Sequence, residues 1–351
     1  MGGTGANFIY LGTGDVGFYQ DGKGNATTPP TNQIENPDPL SGTNNWYKQD
    51  GYSGGSYVNC GDSSQPGVNA ILTYIASLKT KPAIPCAANH YYLVNNYGPA
   101  YSANGTPVNT SSSPFTLPPQ TNPTIADALS NAGISWKYYI GGFNGGNPTD
   151  AWCSICNPLQ FTKSIMTTPL RFNIQDVSNF FDDLKDGALP SVAFIRPYEG
   201  NAGHPADSTL SSYESFIAAV ANAVINNPNA FKETAIVITF DEGGGYYDSG
   251  PIQILDFFGD GTRIPVLVIS PYAKAGFVDH TYYDHGSILK FIEANWGLSP
   301  LSSRSRDNLP NPTQASGSYE PTNSPAIGDL MNLFDFSTAR ANPPLIIPGG
   351  I

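Results

Sequence analysis

The chain runs to 351 residues, 13% charged and 40% apolar, with a formal net charge of −12. That much apolar material excludes wholesale disorder and a coiled coil, while the negative charge repels nucleic-acid phosphates and anionic lipid surfaces. No apolar run approaches the roughly 18–20 residues that cross a bilayer, so neither nucleic acid nor stable membrane insertion is expected.

The length leaves room for two small domains or one large one. From about 14 to 66 and from 98 to 123 the sequence is rich in Gly, Asn, Ser, Thr and Pro, without a sustained period, and reads as loop insertions. The Gly2-Gly-Thr4-Gly-Ala-Asn7 start reads either as a flexible tail or as a hydroxyl presented on a tight turn. Cys60, Cys86, Cys153 and Cys156, with little Lys and much Asn, Gly and Tyr, suggest an extracytoplasmic protein with disulfides whose pairing stays open.

After Pro123 the pattern becomes regular. Thr124 caps a predicted helix that runs to Ala132, with Asp127 three residues on and Gly133 as the stop, and a strand follows over 134–140. Val177, Phe180, Phe181 and Leu184 mark a second helix, followed by a strand at 191–195. Tyr213, Ile217, Val220, Ala221 and Val224 mark a third, followed by strands at 235–240 and 266–269. A last helix spans about 287–296, with Asp284 as its expected N-cap. Helices alternating with apolar strands predict an α/β fold: a mainly parallel central sheet with helices on both faces, and a site beyond the strands' carboxyl ends.

At that edge stand Asp241 and Glu242, followed by Gly243, Gly244 and Gly245. Adjacent carboxylates there are either an acidic solvated turn or two ligands to a divalent metal, whose charge would compensate theirs. His204, in the loop after the 191–195 strand, is placed at the same edge and has the chemistry for proton transfer. As a loop histidine it reads equally as a surface residue. His90 and His285 stand in segments that allow either packing or ligand contact.

Several blocks resemble a known family: FDEGGGYYD (240–248), GTRIPVLVISPYAKAGFVDHTYYDHGSILKFIEANWGL (261–298), FDF (334–336), HYYLVNNY (90–97) and AGHP (202–205). Together they are similar to the bacterial phosphoesterases that comprise secreted acid phosphatases and phosphatidylcholine-type phospholipases C, within the alkaline-phosphatase-like superfamily. The resemblance implies one phosphoesterase domain over 1–351, with a C-terminal extension from about 300, acting on a small phosphate ester or a phospholipid head group. It implies Thr4 as nucleophile, forming a phosphothreonine, His204 assisting the leaving group, and one divalent metal ion on Asp241 and Glu242. Asn7, His90 and His285 are the candidate substrate contacts, although His285 with Asp284 belongs to a block whose role is mainly structural. GGTGAN looks more like the acid-phosphatase branch. An opening strand that carries further metal ligands belongs to the family upstream of the nucleophile. None of it lies in these residues, so the expectation is an N-terminally truncated domain, secreted or periplasmic. An inactive fragment and a carbohydrate-binding protein are the readings from other classes.

Overall fold

The computed structural model describes residues 3–37, 56–82, 86–248, 250, 252–314 and 319–340. Part of the first loop insertion and the end of the C-terminal extension therefore lie outside the described residues.

The centre is a three-stranded parallel sheet. β3 (Trp136–Ile140) pairs with β4 (Ile174–Asp176) on one edge and β5 (Val192–Arg196) on the other, with Tyr138 opposite both Ile174 and Phe194. Strand alternation sends Trp136, Tyr138 and Ile140 to one face and Tyr139 to the other. The first face packs with α3 (Ile125–Asn131) and α8 (Gly286–Trp296), the second with α5 (Val177–Lys185) and α6 (Leu210–Ile225). Helices therefore cover both faces, as the sequence predicts. The expected box closes α3: the Thr124 hydroxyl accepts from the Asp127 N–H at 3.1 Å, and the Asp127 carboxylate accepts from the Thr124 N–H at 2.9 Å.

The strands after α6 depart from expectation. β6 (Ile236–Thr239) and β7 (Val266–Ile269) form a separate pair and run antiparallel, with Ile236 opposite Ile269. An apolar run does not encode strand direction, so the sequence alone could not separate this pair from a parallel continuation. Two single-turn helices, α4 (Lys163–Met166) and α7 (Pro228–Phe231), sit in the connections.

The amino end is not a tail. Gly3 caps α1 (Thr4–Thr13), in which Gly5, Ala6, Asn7, Ile9, Tyr10, Gly12 and Thr13 are buried. Two glycines, Gly5 and Gly12, give this segment poor intrinsic helicity, so its burial carries it. The first predicted loop holds β1 (Tyr57–Val58), paired antiparallel with β2 (Tyr92–Leu93), which lies with α2 (Val68–Ser77) between the two predicted loops. Buried Gln120 fastens them: its side chain accepts from the Phe18 N–H at 3.1 Å and donates to the Phe18 carbonyl at 3.0 Å.

The four cysteines form two disulfides, Cys60–Cys86 and Cys153–Cys156, a pairing the sequence left open. The first spans a sequence separation of 26, so a Cys60→Ala, Cys86→Ala variant is expected to lose about 3 kcal/mol of unfolding free energy in denaturant titration.

Glu293 of α8 is 5% exposed, and burial pushes its carboxyl up to about 9, with Asp307 alongside adding to the rise. The folded value stands above the unfolded one, so its contribution is complete under the unfolded value and is lost as pH climbs toward about 9. Glu293→Gln is therefore expected to raise Tm more at about pH 8 than at about pH 5, in thermal melts across that range.

Candidate active site

The carboxyl ends of β5 and β6 and the start of α1 open on one large cavity, lined among others by Thr4, Asn96, Arg196, His204, Asp241 and Glu242. Four of the residues expected at the site, Thr4, His204, Asp241 and Glu242, are brought to it from elements up to 238 residues apart in sequence.

Thr4 is the first residue of α1. Its hydroxyl donates to Glu242 Oε1 at 3.0 Å. Beside it the Gly5 N–H donates to the side-chain oxygen of Asn96 at 2.7 Å, which fixes the helix start. A Cβ on Gly3 would overlap the Asn96 amide, so a larger residue there would push Asn96 away from the helix start. The hydroxyl thus sits at a helix amino terminus, where the dipole favours negative charge on an approaching group or on the oxygen itself.

Asp241 and Glu242 follow β6, and the chain then turns through Gly244 and Gly245 at φ of +60° and +77°, a conformation that favours glycine. The far end of the turn is pinned by Asp248, which the Arg263 guanidinium grips through Nε at 3.0 Å and Nη2 at 2.7 Å, holding this carboxyl well below the usual range. Burial raises the Asp241 carboxyl, against the opposing pull of its own backbone, His285 and Arg196. A half-buried carboxylate next to a second one, with a hydroxyl 3.0 Å from the latter, is an all-oxygen donor set of the kind a hard divalent cation takes. Among the described residues the one cluster of three His, Cys, Asp or Glu ligand atoms lies elsewhere, at Cys153, Cys156 and Glu199, where both sulfurs are tied in a disulfide.

His204 lies on the cavity rim, exposed, with Nδ1 2.9 Å from Asp207 Oδ2. The other three expected contacts are elsewhere. His90 lines a separate cavity of about 330 Å³, packed on Phe18 and Tyr92 with ring centroids 4.7 and 5.9 Å away. Asn7 is buried inside α1, off the cavity wall, one helical turn past Thr4. His285 is also off the wall: its Nε2 donates to the Phe240 carbonyl at 2.9 Å, and burial lowers its basicity. That bond holds the backbone just ahead of Asp241, which is the structural role rather than a substrate contact. Asp284, expected as the N-cap of α8, lies one residue ahead of the N-cap, His285, and its carboxylate accepts from the Gly286 N–H at 2.7 Å.

Two site residues escaped the sequence reading. Asn96 belongs to the HYYLVNNY block, but nothing local ties it to a helix 91 residues earlier. Arg196 ends β5, and its charge acts on Asp241 while its Nη2 bonds Glu199 at 3.1 Å; its position right after an apolar strand was the available signal.

The family model described as Phosphoesterase family matches residues 1–299. The chain belongs to the phosphoesterase family. It is 28% identical over 271 residues to a non-hemolytic phospholipase C of Burkholderia pseudomallei, covering 63% of this chain and 37% of that protein. A phosphate-repressible acid phosphatase of Penicillium chrysogenum is 28% identical over 225 residues, 61% of this chain and 52% of the other. An acid phosphatase of Aspergillus fumigatus is 31% identical over 192 residues, 51% and 40% of the two chains. The phosphoesterase chain thus spans between about a third and a half of the length of these relatives.

Proposed function

We propose that this phosphoesterase hydrolyses phosphomonoesters as an acid phosphatase, through a phosphothreonine at Thr4. The observation that carries the reading is the Thr4 hydroxyl at the amino terminus of α1, donating to Glu242 beside Asp241 at the mouth of β6. The Thr4 oxygen attacks phosphorus and gives up its proton along the hydrogen bond it already makes to Glu242. As the P–O bond to the leaving alcohol breaks, His204, steadied by Asp207, supplies the proton that alcohol needs. Arg196 and the start of α1 face the phosphate oxygens with positive charge. Water then cleaves the phosphothreonine. Asp241 and Glu242 would hold a divalent cation, which when bound supplies charge for the phosphate oxygens and acidifies a nearby hydroxyl.

Phospholipase C action on a phosphodiester is the second reading, favoured by the phospholipase relative with the longest match quoted above. Hydrolysis of p-nitrophenyl phosphate and of p-nitrophenylphosphorylcholine, each with and without added divalent cation, separates the two. Metal-stimulated turnover of the monoester is expected, and preference for the diester overturns the phosphatase reading. Asp241→Asn is expected to remove the stimulation by metal; unchanged stimulation overturns the ligand assignment. The two disulfides suit an oxidising compartment, and we place the protein outside the cytoplasm, secreted or periplasmic.

A further inference from the structure

Cys153, Cys156 and Glu199 stand on the wall of the large cavity and bring two sulfurs and a carboxylate oxygen within 4.8 Å of one another. The phosphoester chemistry above uses none of the three. Their pattern is that of a metal knuckle: two cysteines with two residues between them, completed by a third ligand from a distant loop. Cys153 caps the single turn Ser154–Cys156, and Glu199 opens the turn Glu199–Asn201 that follows β5.

Backbone bonds keep this arrangement in place apart from the S–S bond. The Glu199 N–H donates to the Ala151 carbonyl at 3.0 Å, which ties the glutamate's turn to the chain two residues before Cys153. The Cys156 carbonyl accepts from the Tyr138 hydroxyl at 2.7 Å, and the Cys156 N–H donates to the Cys153 carbonyl at 3.4 Å. Arg196 holds the carboxylate itself, Nη2 to Oε2 at 3.1 Å, as outer partners orient metal-binding groups. The two disulfides also differ in what they constrain. Cys60–Cys86 closes a sequence separation of 26 and Cys153–Cys156 one of 3, so opening the second releases far less chain entropy on unfolding. Cys153 and Cys156 are 8% and 1% exposed, and both line the cavity through which a reductant and an ion reach them.

We propose that Cys153, Cys156 and Glu199 form a redox-gated metal site: when a dithiol reductant opens the disulfide, two thiolates and one carboxylate take a single zinc-like divalent cation. Two electrons and two protons pass from the dithiol to the S–S bond, and the dithiol closes into its own disulfide. The cation then displaces two protons from the cysteine thiols to water. Paired thiolates select a soft or borderline cation, whereas the all-oxygen pair Asp241 and Glu242 suits a hard one. Three protein ligands leave a fourth tetrahedral position for water from the cavity. Glu199 serves the metal through one oxygen and Arg196 through the other. The charge of Arg196 also acts on Asp241, so the site borders the candidate active site. An oxidising compartment keeps the site closed, and a thiol-rich one opens it.

The test uses the full 351-residue chain, either oxidised or reduced with a phosphine that is removed before Cd2+ and Zn2+ are titrated. The reduced chain is expected to bind one Cd2+ with sulfur-to-metal charge-transfer absorption, and the oxidised chain to show no such band. The band is expected to survive in the Cys60→Ala, Cys86→Ala variant and to vanish in Cys153→Ser. Glu199→Gln keeps both thiols and is expected to weaken competitive Zn2+ binding by about tenfold or more. Asp241→Asn is expected to leave the band unchanged, which separates this outcome from that of the phosphatase reading. No band on reduction, a band that persists in Cys153→Ser, or equal Zn2+ affinity in Glu199→Gln overturns the proposal. So does a band lost in the Cys60 and Cys86 variant or in Asp241→Asn, which would put the metal elsewhere. Should Cys153→Ser not fold, the oxidised and reduced parent and Glu199→Gln decide the matter.

Discussion

Thr4→Ala is expected to lower phosphomonoester turnover by roughly a thousandfold or more, because it removes the hydroxyl proposed as the nucleophile. The Thr4 side chain has one recorded hydrogen bond, to Glu242, and residue 4 is only half-buried, so the variant should melt within about 1 kcal/mol of the parent. Thr4→Ser should keep most of the rate. Phosphate trapped on the protein by acid quench, present in the parent and absent in Thr4→Ala, provides the direct check. Full activity in Thr4→Ala would assign the nucleophile elsewhere.

The largest expected loss of stability belongs to Arg306→Ala. The Arg306 side chain is 2% exposed and is held by Asp256 through Nε and Nη2 at 2.9 Å each, by Asp284 at 3.0 Å and by the Gly259 carbonyl. Its guanidinium also lies 5.0 Å from the Tyr10 ring. Burial raises the carboxyls of Asp260 and Asp284, and Arg306 is the cation that opposes this. Removing it strands buried carboxylates and should cost about 3–5 kcal/mol in denaturant titration. Arg306→Lys recovers only part, since one ammonium cannot reproduce a fork that serves three carboxylates and a carbonyl. Asp284 accepts from the first N–H of α8, and the next residue, His285, holds the backbone before Asp241, so the damage should reach the site as well.

The helix–strand alternation from 124 to 296 was legible because burial there is local and periodic. Thr124 with Asp127, and the spacing of Val177, Phe180 and Leu184, specify their elements within a few residues. α1 was not legible, since its glycines argue against a helix and only contacts with distant residues such as Asn96 stabilise it. Asp241 and Glu242 could be singled out because they follow an apolar strand and precede three glycines, whereas Thr4 stood out only through the family resemblance of its GGTGAN run. His204 could be placed at the sheet edge from its position after a strand, whereas nothing local shows the packing of His90 and His285: one ring lies against Phe18 and Tyr92, the other is committed to a carbonyl. The antiparallel direction of β7 had no local signature at all.

α1 is also a rod of about 15 Å, with the proposed nucleophile Thr4 at one end. At its other end Gly14 adopts φ +63°, and its carbonyl accepts from the Arg306 N–H at 2.8 Å, while a Cβ on Gly14 would overlap the Asp307 carboxylate. A side chain at position 14 would meet the 305–307 segment while forcing a backbone conformation that favours glycine, so Gly14→Ala is expected to disturb the packing that holds the far end of the helix whose first residue is Thr4.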